Sequence, residues 1–200
     1  YSTTRSSEAM ANLLSGIKGY LQVDGLNSYD QISKEDEVER LGCAMHARRR
    51  FEKANVNGAK SGQSLGEEGL KFFKELYEIE EEIREAEPEK RYEERQARAA
   101  PIWAKMRTWA ESHRPKVPPK SKVGNAFSYL LNEYEYLIGY LKDGRLEIDN
   151  GFTERAIRKF AIGRNNWMFS DTVEGANASS LLYSLVITAK VNGVNPYLSL

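Results

Sequence analysis

Two carboxylates stand in settings that suit chemistry. Asp24 closes the run "LQVDG", and a carboxylate at the C-terminal end of a strand, followed by glycine, is where α/β folds place ligand and metal contacts. Asp-Gly after a strand is equally a turn signal, so position alone leaves both readings open. Glu154 lies in "TERAIRKFAIGRNN", with Arg155, Arg158 and Lys159 close by and Arg164 before Asn165-Asn166. That combination joins a hard-metal ligand to donors that pair with phosphate, while an i, i+4 salt bridge from Glu154 to Arg158 is the plainer alternative. A second basic cluster, Arg48, Arg49 and Arg50, follows His46. Brought together by the fold, the two clusters make a surface that tracks phosphates. Trp167 and Phe169 suit either base stacking or a core.

Other chemistries lack their residues. Cys43 and His46 form a Cys-x-x-His pair, but His113 is the only other Cys or His in the chain, short of the four ligands of a closed zinc site. No Gly-x-Ser-x-Gly elbow supports a serine nucleophile, and no Walker-type loop is present. Lys+Arg 29 against Asp+Glu 29 leaves zero net charge, so a nucleic-acid partner depends on local distribution. One cysteine excludes an internal disulfide framework and fits a reducing cytosol. No apolar run reaches the roughly 20 residues that span a bilayer, and the start has neither basic leader nor signal core, so no membrane is expected and the location reads as cytoplasmic.

The positioning elements follow from periodicity. Residues 6–17 read as a short helix, Tyr20–Val23 as a strand, and Leu41–Met45 as the centre of a second strand, with helix from Ala47. The Gly-, Ser- and Asn-rich stretch 55–69 reads as a loop. Helical spacing from about 67 to 114, interrupted near Pro88, predicts a hairpin, and the alternating charges of "EIEEEIREAEPEKRYEER" read as its solvated face. The proline-rich segment "HRPKVPPKSKVG" terminates it, and one amphipathic helix runs from Asn125 to Gly144. Asp149 or Asn150 is placed to cap the Glu154 helix, and a packing helix ends at Gly193.

In order along the chain, "GYLQVDGLNSYD", "LGCAMHARRRFEKA", "PKSKVGNAFSYLLNEYEYLIGYLKDGRLEIDN", "TERAIRKFAIGRNNWMFS" and "GANASSLLYSLVITAKVNGVNPYLSL" resemble the C-terminal part of insertion-sequence-66 family transposases. The resemblance implies a helix-rich α/β fold with an RNase H-like core whose Asp, Asp, Glu triad holds two Mg²⁺ or Mn²⁺ ions. Its second acid falls on Asp24 and its third on Glu154, with Gly151 standing where the family's Asn-Asn-x-x-Glu-Arg pattern has its second Asn. It further implies that the first Asp and the first strands of the core lie upstream, so that 1–60 is the second half of the core, 61–147 a large helical insertion, and 148–200 the C-terminal helices bearing the Glu. The implied partner is DNA, transposon ends and target, in the bacterial cytoplasm and nucleoid, contacted by His46, Arg48, Arg49, Arg50, Arg155, Arg158, Lys159 and Arg164. No small-molecule cofactor is implied. Strand edges left by the missing strands favour self-association. The expected function is Mg-dependent cutting and joining of DNA strands. Two alternatives stay open: a catalytically inactive truncated transposase that only binds DNA or protein, the better reading for this chain by itself, and a plain helical scaffold.

Overall fold

A computed structural model describes residues 8, 14–25, 37–55, 64–163 and 172–199. The predicted helix at 6–17 falls mostly outside these residues. The chain divides into two compact units, Met10–Asn150 and a second formed by Tyr1–Ala9 with Gly151–Leu200.

In the larger unit, β1 (Gly19–Gln22) and β2 (Val38–Leu41) form a parallel pair in which Gly19 faces Val38 and Gln22 faces Leu41. A parallel pair needs a crossover of about a dozen residues or more, which the sequence between Gln22 and Val38 supplies. The second strand sits earlier than its expected centre. Gly42 and Cys43 leave it, and Ala44 already begins α1 (Ala44–Asn55), because Ala44, Ala47 and Phe51 repeat at helical spacing and are all fully buried.

α2 (Leu65–Glu82) starts inside the segment read as loop, capped by the Ser64 hydroxyl, which accepts from the Glu67 N–H at 3.1 Å. Pro88 opens α3 (Pro88–Glu94) at its first turn, where the missing N–H costs nothing. The chain continues without a break through a π-helical turn, Arg95–Ala99, into α4 (Ala100–His113). Pro101 explains the wide turn: its ring would meet the carbonyl four residues back, and the Ala100 N–H bonds Arg95 O five residues back instead.

The single helix expected after Asn125 is broken. α5 (Lys122–Asn132) ends at Glu133, a short α6 (Tyr134–Leu137) follows, and Ile138–Lys142 is 3₁₀. The break brings backbone to backbone: the Gly42 N–H bonds Tyr136 O at 2.8 Å, and Arg40 reaches Glu133 at 2.6 Å. An added Cβ at Gly42 would stand 3.0 Å from the Leu137 nitrogen, so this strand end meets α6 only as glycine.

One core joins α1, α2, α4 and α5 around Phe51, Phe73, Leu76, Trp103, Met106, Phe127 and Leu130, all fully buried. Phe51 has Phe73 at 5.9 Å and Phe127 edge-on at 5.8 Å, and Gly69 leaves the room for its ring. Each such side chain contributes about 1.5–3 kcal/mol of burial. Strand pair and helices are thereby held as one body.

The smaller unit contains α7 (Gly151–Gly163), α8 (Val173–Val191) and α9 (Pro196–Ser199). α8 begins at a Thr172 cap, and its Leu181, Leu182 and Leu185, expected to pack, are exposed. No helix among the described residues is long and apolar enough to cross a membrane.

Candidate active site

Parallel pairing puts both strand ends at one edge, and three segments meet there. The first is Val23–Gly25 after β1, tied by the Val23 N–H to Leu41 O at 3.0 Å. The second is Gly42–Cys43 and the first turn of α1, which carries half-buried His46. The third is Glu147–Asn150, drawn in from far along the chain. Gln22 Nε2 donates to Gly42 O at 3.1 Å and to Glu147 O at 2.9 Å, and the Ala44 N–H reaches Ile148 O at 3.1 Å.

Asp24 is half-buried at this edge, and its Oδ1 is buried with no hydrogen-bond partner among the described residues. A carboxylate oxygen left with unclaimed lone pairs is costly unless something else takes them. Next to it, the ring and hydroxyl of Tyr129 from α5 stand against Gly25. A Cβ on Gly25 would stand 2.6 Å from Tyr129 Cε2. The Asp-Gly pair therefore has a packing reason besides turn chemistry.

At the opposite side of the edge, Cys43 Sγ donates to Asn150 Oδ1 at 3.0 Å, and the Tyr77 hydroxyl of α2 bonds Asp149. Burial holds the Cys43 thiol above its usual range, and burial together with Asp149 drives the Tyr77 phenol far upward. Asp149 and Asn150, one or the other expected to cap the next helix, thus bond Tyr77 of α2 and Cys43 just after β2. Cys43 is a buried hydrogen-bond donor here, and no group of three or more His, Cys, Asp or Glu among the described residues is arranged to hold a metal ion.

The first basic cluster is ordered by tyrosines. Arg50 lies over the Tyr129 ring at 4.0 Å, and Arg48 lies over the Tyr77 ring at 5.6 Å while pairing with Glu52 at 3.1 Å. Both guanidinium groups are exposed, as is Arg49. Among the described residues no carboxylate pairs with Arg50. Burial raises the Tyr129 phenol to about 12, so it stays protonated in neutral solution.

Sequence reasoning passed over these tyrosines because they sit at helical spacing among apolar residues. It also read Glu80, Arg91 and Arg95 as solvated charges, and that is corrected. Arg95 is fully buried, Glu80 is 9 % exposed, and only their neighbours, such as Lys90 with Glu94, pair on the surface. Arg95 binds Glu80 through two bonds and the carbonyls of Asp143 and Leu146 at 3.1 and 2.8 Å, fixing the approach to Glu147–Asn150.

In the smaller unit, Glu154 is half-buried in the first turn of α7, where a carboxylate is favoured by the helix dipole. Arg155 and Arg158 are exposed, and no ion pair of theirs occurs among the described residues. The Glu154–Arg158 bridge expected from spacing is therefore not found there. Lys159 lies on the same helix with its side chain undescribed, and Arg164, Trp167 and Phe169 lie outside the described residues.

The family model described as Transposase IS66 family matches residues 1–178. Three proteins of Sinorhizobium fredii (strain NBRC 101917 / NGR234), all named as uncharacterized, are similar along almost the whole chain. y4qI is 33% identical over 96% of this chain and 36% of its own length. y4hP is 31% identical over 98% and 38%, and y4jD 31% over 98% and 39%. The chain thus spans well under half the length of these relatives. No solved structure matches it. With the family model covering most of its residues in order, the chain belongs to the IS66 family of transposases.

Proposed function

We propose that this chain is part of a DNA transposase that cuts transposon ends and joins the 3′-hydroxyl to target DNA on an RNase H-like core, with 61–147 inserted as helices. Family membership supports the reaction class. The observation that carries the site is Asp24, whose buried Oδ1, without a hydrogen-bond partner among the described residues, stands at the carboxyl edge of a parallel strand pair.

An oxygen with free lone pairs suits Mg²⁺ or Mn²⁺, which take hard oxygen donors. Asp24 and Glu154 would hold the ions, with the triad's first Asp coming from the rest of the longer protein. When bound, two such ions supply activation of the attacking hydroxyl and stabilisation of the leaving oxygen. The remaining work falls to this chain's own residues. Tyr129 stands against Gly25, the residue after Asp24, and Gln22, Cys43 and Tyr77 hold the segment leading to the Glu154 helix. His46, Arg48, Arg49, Arg50, Arg155, Arg158, Lys159 and Arg164 supply charge for DNA phosphates, which a chain of zero net charge concentrates locally.

Asp24→Ala in the full-length transposase tests this reading. Loss of Mg²⁺-dependent strand transfer, with circular dichroism and DNA binding retained, is the expected result. Undiminished strand transfer overturns the assignment.

A further inference from the structure

Asp24 belongs to neither helix nor strand, yet a metal ligand must be held to within about 0.5 Å. Its two chain neighbours meet that need differently. Val23 is tied to Leu41 by the strand ladder's last bond. Among the described residues Gly25 is tied to nothing in the sheet; the Tyr129 ring and hydroxyl fill the space where a side chain at 25 would stand. The ring is fixed in turn. It projects from α5, whose Phe127 and Leu130 are fully buried in the core, and Arg50 of α1 lies over it at 4.0 Å.

We propose that Tyr129 is a positioning residue for Asp24: its hydroxyl and ring lock Gly25 in place, so that the unpartnered Asp24 oxygen is presented to a divalent cation in one geometry. The helical region thereby contributes a part to the site. Arg50 serves twice, bracing the ring through its flat face and leaving its N–H donors to a DNA phosphate. The proposal rests on Asp24 being a metal ligand, and the experiment separates the two claims.

Mn²⁺ alone is titrated calorimetrically into the full-length transposase as wild type, Asp24→Asn and Tyr129→Phe, with thermal unfolding followed in parallel. Tyr129→Phe keeps the ring and the Arg50 stack and removes only the hydroxyl packed against Gly25. The expected result is strong loss of Mn²⁺ binding in Asp24→Asn and a roughly 10-fold weaker affinity, the scale of outer-shell effects on metal sites, in Tyr129→Phe, which keeps one cooperative unfolding transition. Binding lost in Asp24→Asn but unchanged in Tyr129→Phe overturns the role of Tyr129 and leaves Asp24 standing. Binding unchanged in Asp24→Asn overturns both. Amide exchange gives a measurement independent of any variant: the Gly25 N–H of the wild type is expected to exchange slowly, and an unprotected Gly25 overturns the proposal.

Discussion

Arg95 and Glu80 face each other as a two-bond ion pair inside the protein, Nε to Oε1 at 2.9 Å and Nη2 to Oε2 at 2.6 Å, with Arg95 wholly removed from solvent. The guanidinium also binds the Asp143 and Leu146 carbonyls, so one side chain joins α2, the π-helical turn and the loop that leads to Asp149. Removing it strands a buried carboxylate and two backbone acceptors. Arg95→Met is expected to lower stability by about 3–5 kcal/mol, the usual penalty for breaking a buried pair from one side. Urea unfolding measures it, and Arg98→Met, on the exposed face beside it, is expected to leave the unfolding midpoint almost unchanged.

Tyr77 and Asp149 make a second long-range tie, from α2 to the residue before Asn150. Tyr77→Phe leaves the ring under Arg48 and removes one hydrogen bond to a carboxylate. A loss of about 1.5–3 kcal/mol in chemical denaturation is expected. In the full-length transposase the same variant is expected to reduce strand transfer more than DNA binding, because the tie orders the entry to the Glu154 helix while Arg48 keeps its place.

Alkaline pH acts through the buried phenols. Burial first, then the Glu133 charge, raises Tyr129 to about 12; burial likewise raises Tyr134, Tyr140 and Tyr77. The folded state holds these protons at pH values where the unfolded chain, titrating near 10, has released them. Their contribution is complete below pH 10 and is lost as pH rises through the folded values. The stability difference between wild type and Tyr129→Phe is therefore expected to be constant from pH 7 to 9.5 and to shrink between pH 10 and 12. A difference that grows over that window contradicts the assignment.

Arg48 and Arg50 are expected to act through phosphates. Each phosphate contact adds about 0.9 to the slope of log affinity against log salt on duplex DNA. Arg50→Gln in the full-length transposase is expected to weaken DNA binding at low salt and to flatten that slope by about one contact. Filter binding over a salt series checks it, and an unchanged slope removes Arg50 from the interface.

Much of this molecule is written in local spacing. Tyr20, Leu21 and Val23 announce a strand, Ala44, Ala47 and Phe51 a helix face, and the ordered motifs from "LQVDG" to "TERAIRK" carry the family. The Asp24-Gly25 turn was legible for the same reason, since turn chemistry is a matter of adjacent residues. Charge partners were not legible in this way. Glu80, Arg91 and Arg95 share their composition with Lys90 and Glu94, and only the packing of α2 and α3 against the 143–147 loop makes one set buried and the other solvated.

The sequence by itself determined the family and singled out the two acids and the basic clusters as candidates, because these depend on residue identity and order. Tertiary structure alone decided that Asp24 has an oxygen unclaimed among the described residues, that Tyr129 stands against Gly25, and that Tyr77 and Cys43 reach across the chain to Asp149 and Asn150. The physical reason is sequence distance. A bond between residues some hundred positions apart leaves no periodic trace in either segment, and it exists only once a shared core has brought α1, α2 and α5 around the ends of the two strands.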